Sequence, residues 1–317
     1  TDYILWYGKT REHTKYRPLF RDKDIPDDER AFATSDVSSS HYYESPDFRF
    51  RGQVFTPGKR YWSTSVTGLT RLAQSDRLVI SGNTIRYKRY PRDFPAMIIG
   101  NNWPDVALSS FGDEKVYVVQ TACKVIERCV VMATDPGDLV LDPTCGSGTT
   151  AYVAEEWGRR WITIDTSRVA LALARTRLMS ARFPYYILSD SPEGIAKESE
   201  ITGKLPSQQK TEGDIKKGFV YKRVPHITLK AIANNEEIDT IHAKWQEKLE
   251  PIRAELNKAL GKSWEEWEIP REAGDSWPAE AKKLLSEWWK LRWERQKEID
   301  ASIARNQIGR ASCRERV

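Results

Sequence analysis

Leu139-Val140-Leu141-Asp142-Pro143-Thr144-Cys145-Gly146-Ser147-Gly148-Thr149-Thr150-Ala151 reads as an apolar strand that ends in a carboxylate, turns through two glycines and opens a helix. Further on, Trp161-Ile162-Thr163-Ile164 is a second short strand, ending at Asp165. Backbone amides and a helix N-terminus on one side, with carboxylates for amine and hydroxyl groups on the other, suit a nucleoside cofactor. The spacing Gly146-x-Gly148-x-x-Ala151 also satisfies the dinucleotide fingerprint, with Asp165 near the ribose position, so an NAD-dependent oxidoreductase competes. Asp142-Pro143 weighs against it. A carboxylate between strand and glycines would face a pyrophosphate and repel it, whereas it suits a ligand with an amino group and no phosphate.

Working outward, the spacing predicts a helix over Thr121–Thr134, with Val125, Ile126, Cys129, Val130 and Ala133 on its apolar face. Asp135-Pro136-Gly137-Asp138 ends it and turns into the first strand. After Asp165 a helix is expected over Arg168–Arg182, then a third strand at Pro184–Leu188. Strand, helix, strand, helix, strand is half of a doubly wound parallel sheet, so the fold class is α/β.

Residues 41–100 differ in character. They hold ten Lys/Arg against four acids, and ten aromatics are interleaved. Asp47–Arg51 and Ile85–Tyr90 partly alternate, as short strands do. Basic groups neutralise phosphates and aromatics stack on bases, which makes double-stranded DNA a candidate partner. Arg49, Arg51, Lys59, Arg60, Arg86, Lys88 and Arg89 are the expected contacts. The plainer alternative is that these aromatics form a small core of their own. Pro192–Lys217 reads as a polar loop, and Phe219–Leu229 resumes strand character. Beyond Asn235 the chain is charged and helical, with seven tryptophans at 245, 264, 267, 277, 288, 289 and 293. Their spacing predicts shared helix faces that pack on the main body, or else dock a partner subunit or a second copy.

The run Gly137–Thr150 together with Gly158-Arg159-Arg160-Trp161-Ile162-Thr163-Ile164-Asp165 resembles the cofactor motif of amino-methylating DNA methyltransferases. Tyr117–Arg128 is similar to the helix motif that precedes it in that family. The resemblance implies S-adenosyl-L-methionine as cofactor and adenine N6 or cytosine N4 of DNA as methyl acceptor, often in restriction–modification systems. It places Asp142 on the methionine amino group and Asp165, with neighbouring Thr166, on the ribose. Pro143, Thr144, Cys145, Gly146, Ser147, Gly148 and Thr149 then form the loop against the cofactor. Family members commonly carry Thr-Gln-Lys-Pro where this chain has Val119-Gln120-Thr121-Ala122, so Thr121 is the expected substitute contact to the methionine carboxylate. Cys145 reads as a small residue beneath the loop.

The family's acceptor motif, Asp/Asn/Ser-Pro-Pro-Tyr/Phe, holds the flipped base. Ser45-Pro46-Asp47-Phe48 and Phe183-Pro184-Tyr185 lack the double proline, so no catalytic residue is assigned here. One arrangement of the family puts that motif first, the recognition region next and the cofactor motif last. The order in this chain matches the later part, which places the acceptor motif upstream of Thr1 and predicts an inactive fragment.

The expected division follows: 1–40 an incomplete part of the catalytic domain with a linker, 41–110 the target-recognition region, 111–192 the cofactor-binding half. Residues 193–307 form a charged, Trp-rich helical extension, and 308–317 resemble a translated sequencing adapter. The architecture predicted is a Rossmann-like methyltransferase sheet with an inserted β-rich recognition region and a helical C-terminal extension. With 317 residues, 39% hydrophobic content and a net charge of +5, the chain has ample material for a core and no apolar run approaching a membrane span. Mean hydropathy is −0.62. Four cysteines at 123, 129, 145 and 313 show no metal-type spacing, so no metal is expected and a reducing cytoplasm is the default.

Overall fold

The computed structural model describes residues 3–25, 31–106, 121–203, 205–206, 210–306 and 311–316. Along the chain lie β1 (Ala33–Asp36), α1 (Val66–Gln74), β2 (Leu78–Ser81), β3 (Thr84–Arg89), α2 (Cys123–Ala133) and β4 (Leu139–Asp142). These are followed by α3 (Thr149–Glu156), β5 (Arg160–Thr163), α4 (Arg168–Ser180), α5 (Pro192–Thr202), α6 (Glu237–Leu260) and α7 (Ala279–Asn306). The chain divides into two compact units. One comprises Thr1–Lys23, Ala96–Val224 and Ala311–Val317; the other comprises Asp24–Pro95 and Pro225–Arg310.

In the first unit β4 and β5 pair in parallel, from Leu139 opposite Arg160 to Asp142 opposite Thr163. Helix α3 covers the face carrying Trp161, whose indole N–H donates to Glu155 on that helix at 2.9 Å. The opposite face carries Leu139, Leu141, Ile162 and Ile164, all 48–60% exposed. Among the described residues this sheet is a two-stranded parallel pair, covered by a helix on one face and with its second apolar face uncovered. The turn before β4 is anchored from the N-terminal segment: Arg17 meets Asp135 at 2.9 Å, and Lys15 meets Asp138 at 2.5 Å. Arg128 of α2, itself buried, grips Asp105 with both guanidinium nitrogens. Together with Lys124, it holds that carboxyl well below the usual range.

Several expectations change here. Pro184–Leu188 is not a ladder strand; only an isolated antiparallel bridge joins Leu188 to Phe219. Tyr3–Tyr7, an apolar run whose composition predicts a strand, is irregular, with Tyr3, Leu5 and Tyr7 exposed. Among the described residues no strand ladder runs along either stretch, so strand-like composition alone does not make a strand there. The expected loop after Pro192 contains α5 instead. Ser191 caps it by accepting the Gly194 N–H, Pro192 starts it, and Gly203 ends it in the left-handed conformation. Within Phe219–Leu229 the strand is confined to Tyr221–Val224, and Ala311–Arg316 runs antiparallel along it.

The second unit is built on the antiparallel sheet β1–β3–β2. Helix α1, which the aromatic, basic composition did not announce, is capped by the Ser65 hydroxyl on the Gly68 N–H. Its Leu69 and Leu72 are fully buried. One hydrophobic cluster joins Phe48, Phe55, Trp62, Leu69 and Tyr87 to Trp245, Leu249, Trp288 and Ile299 of α6 and α7. The aromatic, basic segment and the Trp-rich tail, read as separate in the sequence, thus share one core. Arg71 of α1 reaches Asp239 of α6 at 2.8 Å. Arg77 and Asp93 each have an 8% exposed side chain, and Arg77 Nη1 donates to both Asp93 carboxylate oxygens at 2.7 and 2.8 Å. No helix among the described residues is long and apolar enough to cross a membrane.

Candidate cofactor site and basic surface

The site in the first unit begins with strand ends. Because β4 and β5 are parallel neighbours, Asp142 and the segment Ile164–Asp165 arrive side by side, and the Ile164 N–H donates to the Asp142 carbonyl at 2.9 Å. The chain then turns through Gly146 (φ +51°) and Gly148 (φ +74°) into α3. The second glycine is required twice over. Its φ lies in the left-handed region, and a Cβ there would sit 2.8 Å from the Cβ of Ala174 on α4.

The loop amides are less open than the sequence reading implied. Cys145 donates to the Ile164 carbonyl at 2.8 Å, Gly148 to the Cys145 carbonyl at 2.9 Å, and Gly146 to Asp165 Oδ2 at 2.8 Å. They shape the loop. Asp165 Oδ1 accepts the Ser167 N–H at 2.8 Å, so both carboxylate oxygens are already oriented. The amides of Ser167 and Gly146 together hold its carboxyl below the ordinary aspartate range. Each oxygen keeps a second lone pair for an incoming hydroxyl. Asp142 Oδ1 takes the Thr144 N–H at 3.0 Å, while Oδ2 has no hydrogen-bond donor among the described residues. Cys145 is 4% exposed, as befits a small residue under the loop. Pro143, Thr144 and Thr166 are exposed beside it.

Arg177, which the sequence reading missed, ties these parts together. From α4 its Nη1 reaches the Ser147 carbonyl at 3.3 Å and Thr149 Oγ1 at 3.0 Å, while Nη2 reaches Cys123 Sγ at 3.5 Å. Its guanidinium lies 4.9 Å from the Tyr152 ring centroid. One side chain thereby links the glycine loop, the start of α3 and the start of α2. Exposed Thr121 lies two residues before Cys123 and so at the edge of this assembly. The helix expected over Thr121–Thr134 spans Cys123–Ala133; Tyr117–Gln120 lies outside the described residues. No sequence signal singles out Arg177 from its neighbours on α4, because its partners lie 28 to 54 residues away.

The seven basic residues proposed for DNA fall in the second unit and separate into groups. Arg60 and Arg86 share Asp36, at 3.2 and 2.8 Å. Lys88 is buried, pairs with Asp76 at 3.0 Å and lies over the Phe32 ring, so its ammonium does not face solvent. Arg49, Lys59 and Arg89 are exposed; Arg51 is exposed, stacked on Phe50 and 3.6 Å from Asp76. Of the interleaved aromatics, Phe48, Phe50, Phe55, Trp62 and Tyr87 are core residues. Those five serve a core, as in the plainer alternative, but one shared with α6 and α7 and not their own.

The N6_N4_Mtase family, described as DNA methylase, matches residues 1–176. The chain is 28% identical over 196 residues to the type II methyltransferase M.EcaI of Enterobacter cloacae, covering 58% of this chain and 43% of that protein. Over 54 residues, 17% of the chain and 20% of the relative, it is 48% identical to the type II methyltransferase M2.DpnII of Streptococcus pneumoniae. A 58-residue match at 38% identity to M.BamHI of Bacillus amyloliquefaciens covers 18% of the chain and 14% of that relative. The chain thus spans less than half the length of these relatives. With the family match extending over more than half of its residues, the chain belongs to the N6/N4 DNA methylase family.

Proposed function

We propose that this chain is the cofactor-holding and DNA-reading part of an enzyme that transfers a methyl group from S-adenosyl-L-methionine to an exocyclic amine of a DNA base. Adenine N6 is the favoured acceptor, within a restriction–modification system. The observation that carries this reading is the pair of carboxylates flanking one glycine loop. Asp165 is fixed by the Gly146 and Ser167 amides, and Asp142 keeps one oxygen without a donor among the described residues.

The donor set suits the cofactor's chemistry. An ammonium is attracted to Asp142, ribose hydroxyls donate to Asp165, and Thr121 offers a hydroxyl to a carboxylate. Residues 142–151 contain no lysine or arginine to neutralise a pyrophosphate. S-adenosylmethionine, when bound, supplies an electrophilic methyl on sulfur. This chain's residues bind and orient it. On this reading the Pro-Pro-Tyr-type residues that hold the acceptor amine come from outside the present sequence, and the chain alone binds cofactor without methylating DNA.

Calorimetric titration with S-adenosylmethionine and, separately, with NAD tests the assignment. Saturable binding of the first and none of the second is expected. Binding of NAD alone would return the site to the oxidoreductase reading.

A further inference from the structure

The second unit contains a cleft of about 1240 Å³ whose walls come from both ends of the chain. Its lining includes Arg49, Phe50 and Arg51 from the earlier segment and Trp267, Arg271 and Trp293 from the later one. Its lining holds nine arginines and lysines against six carboxylates, so the cleft is net positive. The deeper charges are committed to one another. Glu266 is held by Arg292 at 2.9 Å and by Arg295, and Arg77 by Asp93.

The mouth is different. Trp267 and Trp293 are 47% and 62% exposed, although tryptophan is among the residues a fold buries most completely on average. Arg49 and Arg271 are exposed and have no carboxylate partner among the described residues. Arg271 instead lies 5.7 Å from the Trp289 ring centroid, and Trp289 is fixed by donating its indole N–H to the Pro270 carbonyl at 2.8 Å. Exposed indoles and unneutralised guanidinium groups that line one net-positive cleft match a polyanion that also presents flat apolar surfaces.

We propose that this cleft binds duplex DNA, with the C-terminal helical segment forming one of its walls. The proposal rests on the DNA methylase reading and extends it. The Trp-rich extension becomes half of the recognition surface rather than an appendage. Arg49 and Arg271 contact phosphates, and Trp267 and Trp293 pack against sugars and base edges. This also accounts for the shared core, which holds the two walls in register.

The test uses the full chain and a mixed-sequence duplex of about thirty base pairs, with affinity followed by anisotropy across roughly 50–200 mM salt. Arg49→Gln with Arg271→Gln should lower the slope of log K against log salt by about two units, since each lost phosphate contact removes close to one. Trp267→Ala with Trp293→Ala should weaken binding by about fivefold or more at fixed salt. Arg271→Lys, which restores the charge, should recover the slope. S-adenosylmethionine affinity, measured on the same proteins, should stay at the wild-type value. Wild-type binding that all these variants reproduce overturns the proposal and leaves the methylase reading standing. A chain that binds cofactor but no duplex at any salt overturns the DNA-reading part of both. Concentration-dependent dimerisation abolished by Trp293→Ala, with duplex binding unchanged, would assign the surface to a second copy and also overturn the proposal.

Discussion

The Asp165 carboxylate accepts the Gly146 N–H at 2.8 Å across nineteen residues of sequence, joining the end of the second strand to the glycine loop that follows the first. Parallel pairing of β4 and β5 makes that meeting possible. The same group that is assigned to the cofactor therefore also shapes the loop around it. Loop geometry and ligand affinity should respond together when either residue is changed.

Gly148→Ala tests the backbone half of this relationship. The new methyl would meet Ala174 at 2.8 Å in a left-handed conformation. Destabilisation of about 1–3 kcal/mol is expected in urea unfolding, with weakened S-adenosylmethionine binding. Unchanged stability would show that α4 can move away from the loop at little cost.

Arg177→Met removes the clamp between loop, α3 and α2 while keeping most of the side chain's volume. We expect S-adenosylmethionine affinity to fall on the order of tenfold, in keeping with loss of charged hydrogen bonds, and Arg177→Lys to recover part of it. Equal affinity in the Met variant would leave Arg177 as a bystander on α4.

In the second unit Arg77→Met strands the buried Asp93 carboxylate. Removing one partner of a pair with only 8% of each side chain exposed should cost about 3–5 kcal/mol, seen as a lowered unfolding midpoint. The double change Arg77→Met with Asp93→Leu should regain much of that loss. A single variant as stable as wild type would mean that water reaches Asp93.

His242 gives a pH signature. Burial, followed by the nearby Arg295, lowers its pKa from 6.5 to about 4, although Glu266 and Asp239 pull the other way. The unfolded chain then binds the proton more readily than the folded one between those values, so stability falls as pH drops through that window. His242→Gln should lose less stability than wild type between pH 6.5 and 4, and behave alike above pH 7. Parallel melting curves for the two proteins across that range would contradict the shift.

The elements most legible in the sequence were those with local signals. The glycine loop, β4, β5, α2 and α4 lie where carboxylates, glycines and apolar periodicity put them, with ends shifted by at most three residues. Helix α5 was equally local, since Ser191-Pro192 and Gly203 are a start and a stop, but its polar composition masked it. Other features were not written locally at all. The burial of Lys88 against Asp76 and Phe32, the reach of Arg177 to Cys123, and the joining of Trp288 with Phe48 and Trp62 depend on tertiary contacts between distant segments. Tyr3–Tyr7 and Pro184–Ile187 show the converse: strand-like composition with no strand ladder alongside, among the described residues, leaves the backbone irregular.

The central claim, that Asp142 and Asp165 frame a methyl-donor site, is tested most directly by titrating S-adenosylmethionine into the wild-type chain and into Asp165→Ala. Saturable binding by wild type and affinity on the order of tenfold weaker in the variant are expected. Equal affinity for the two proteins would contradict the account.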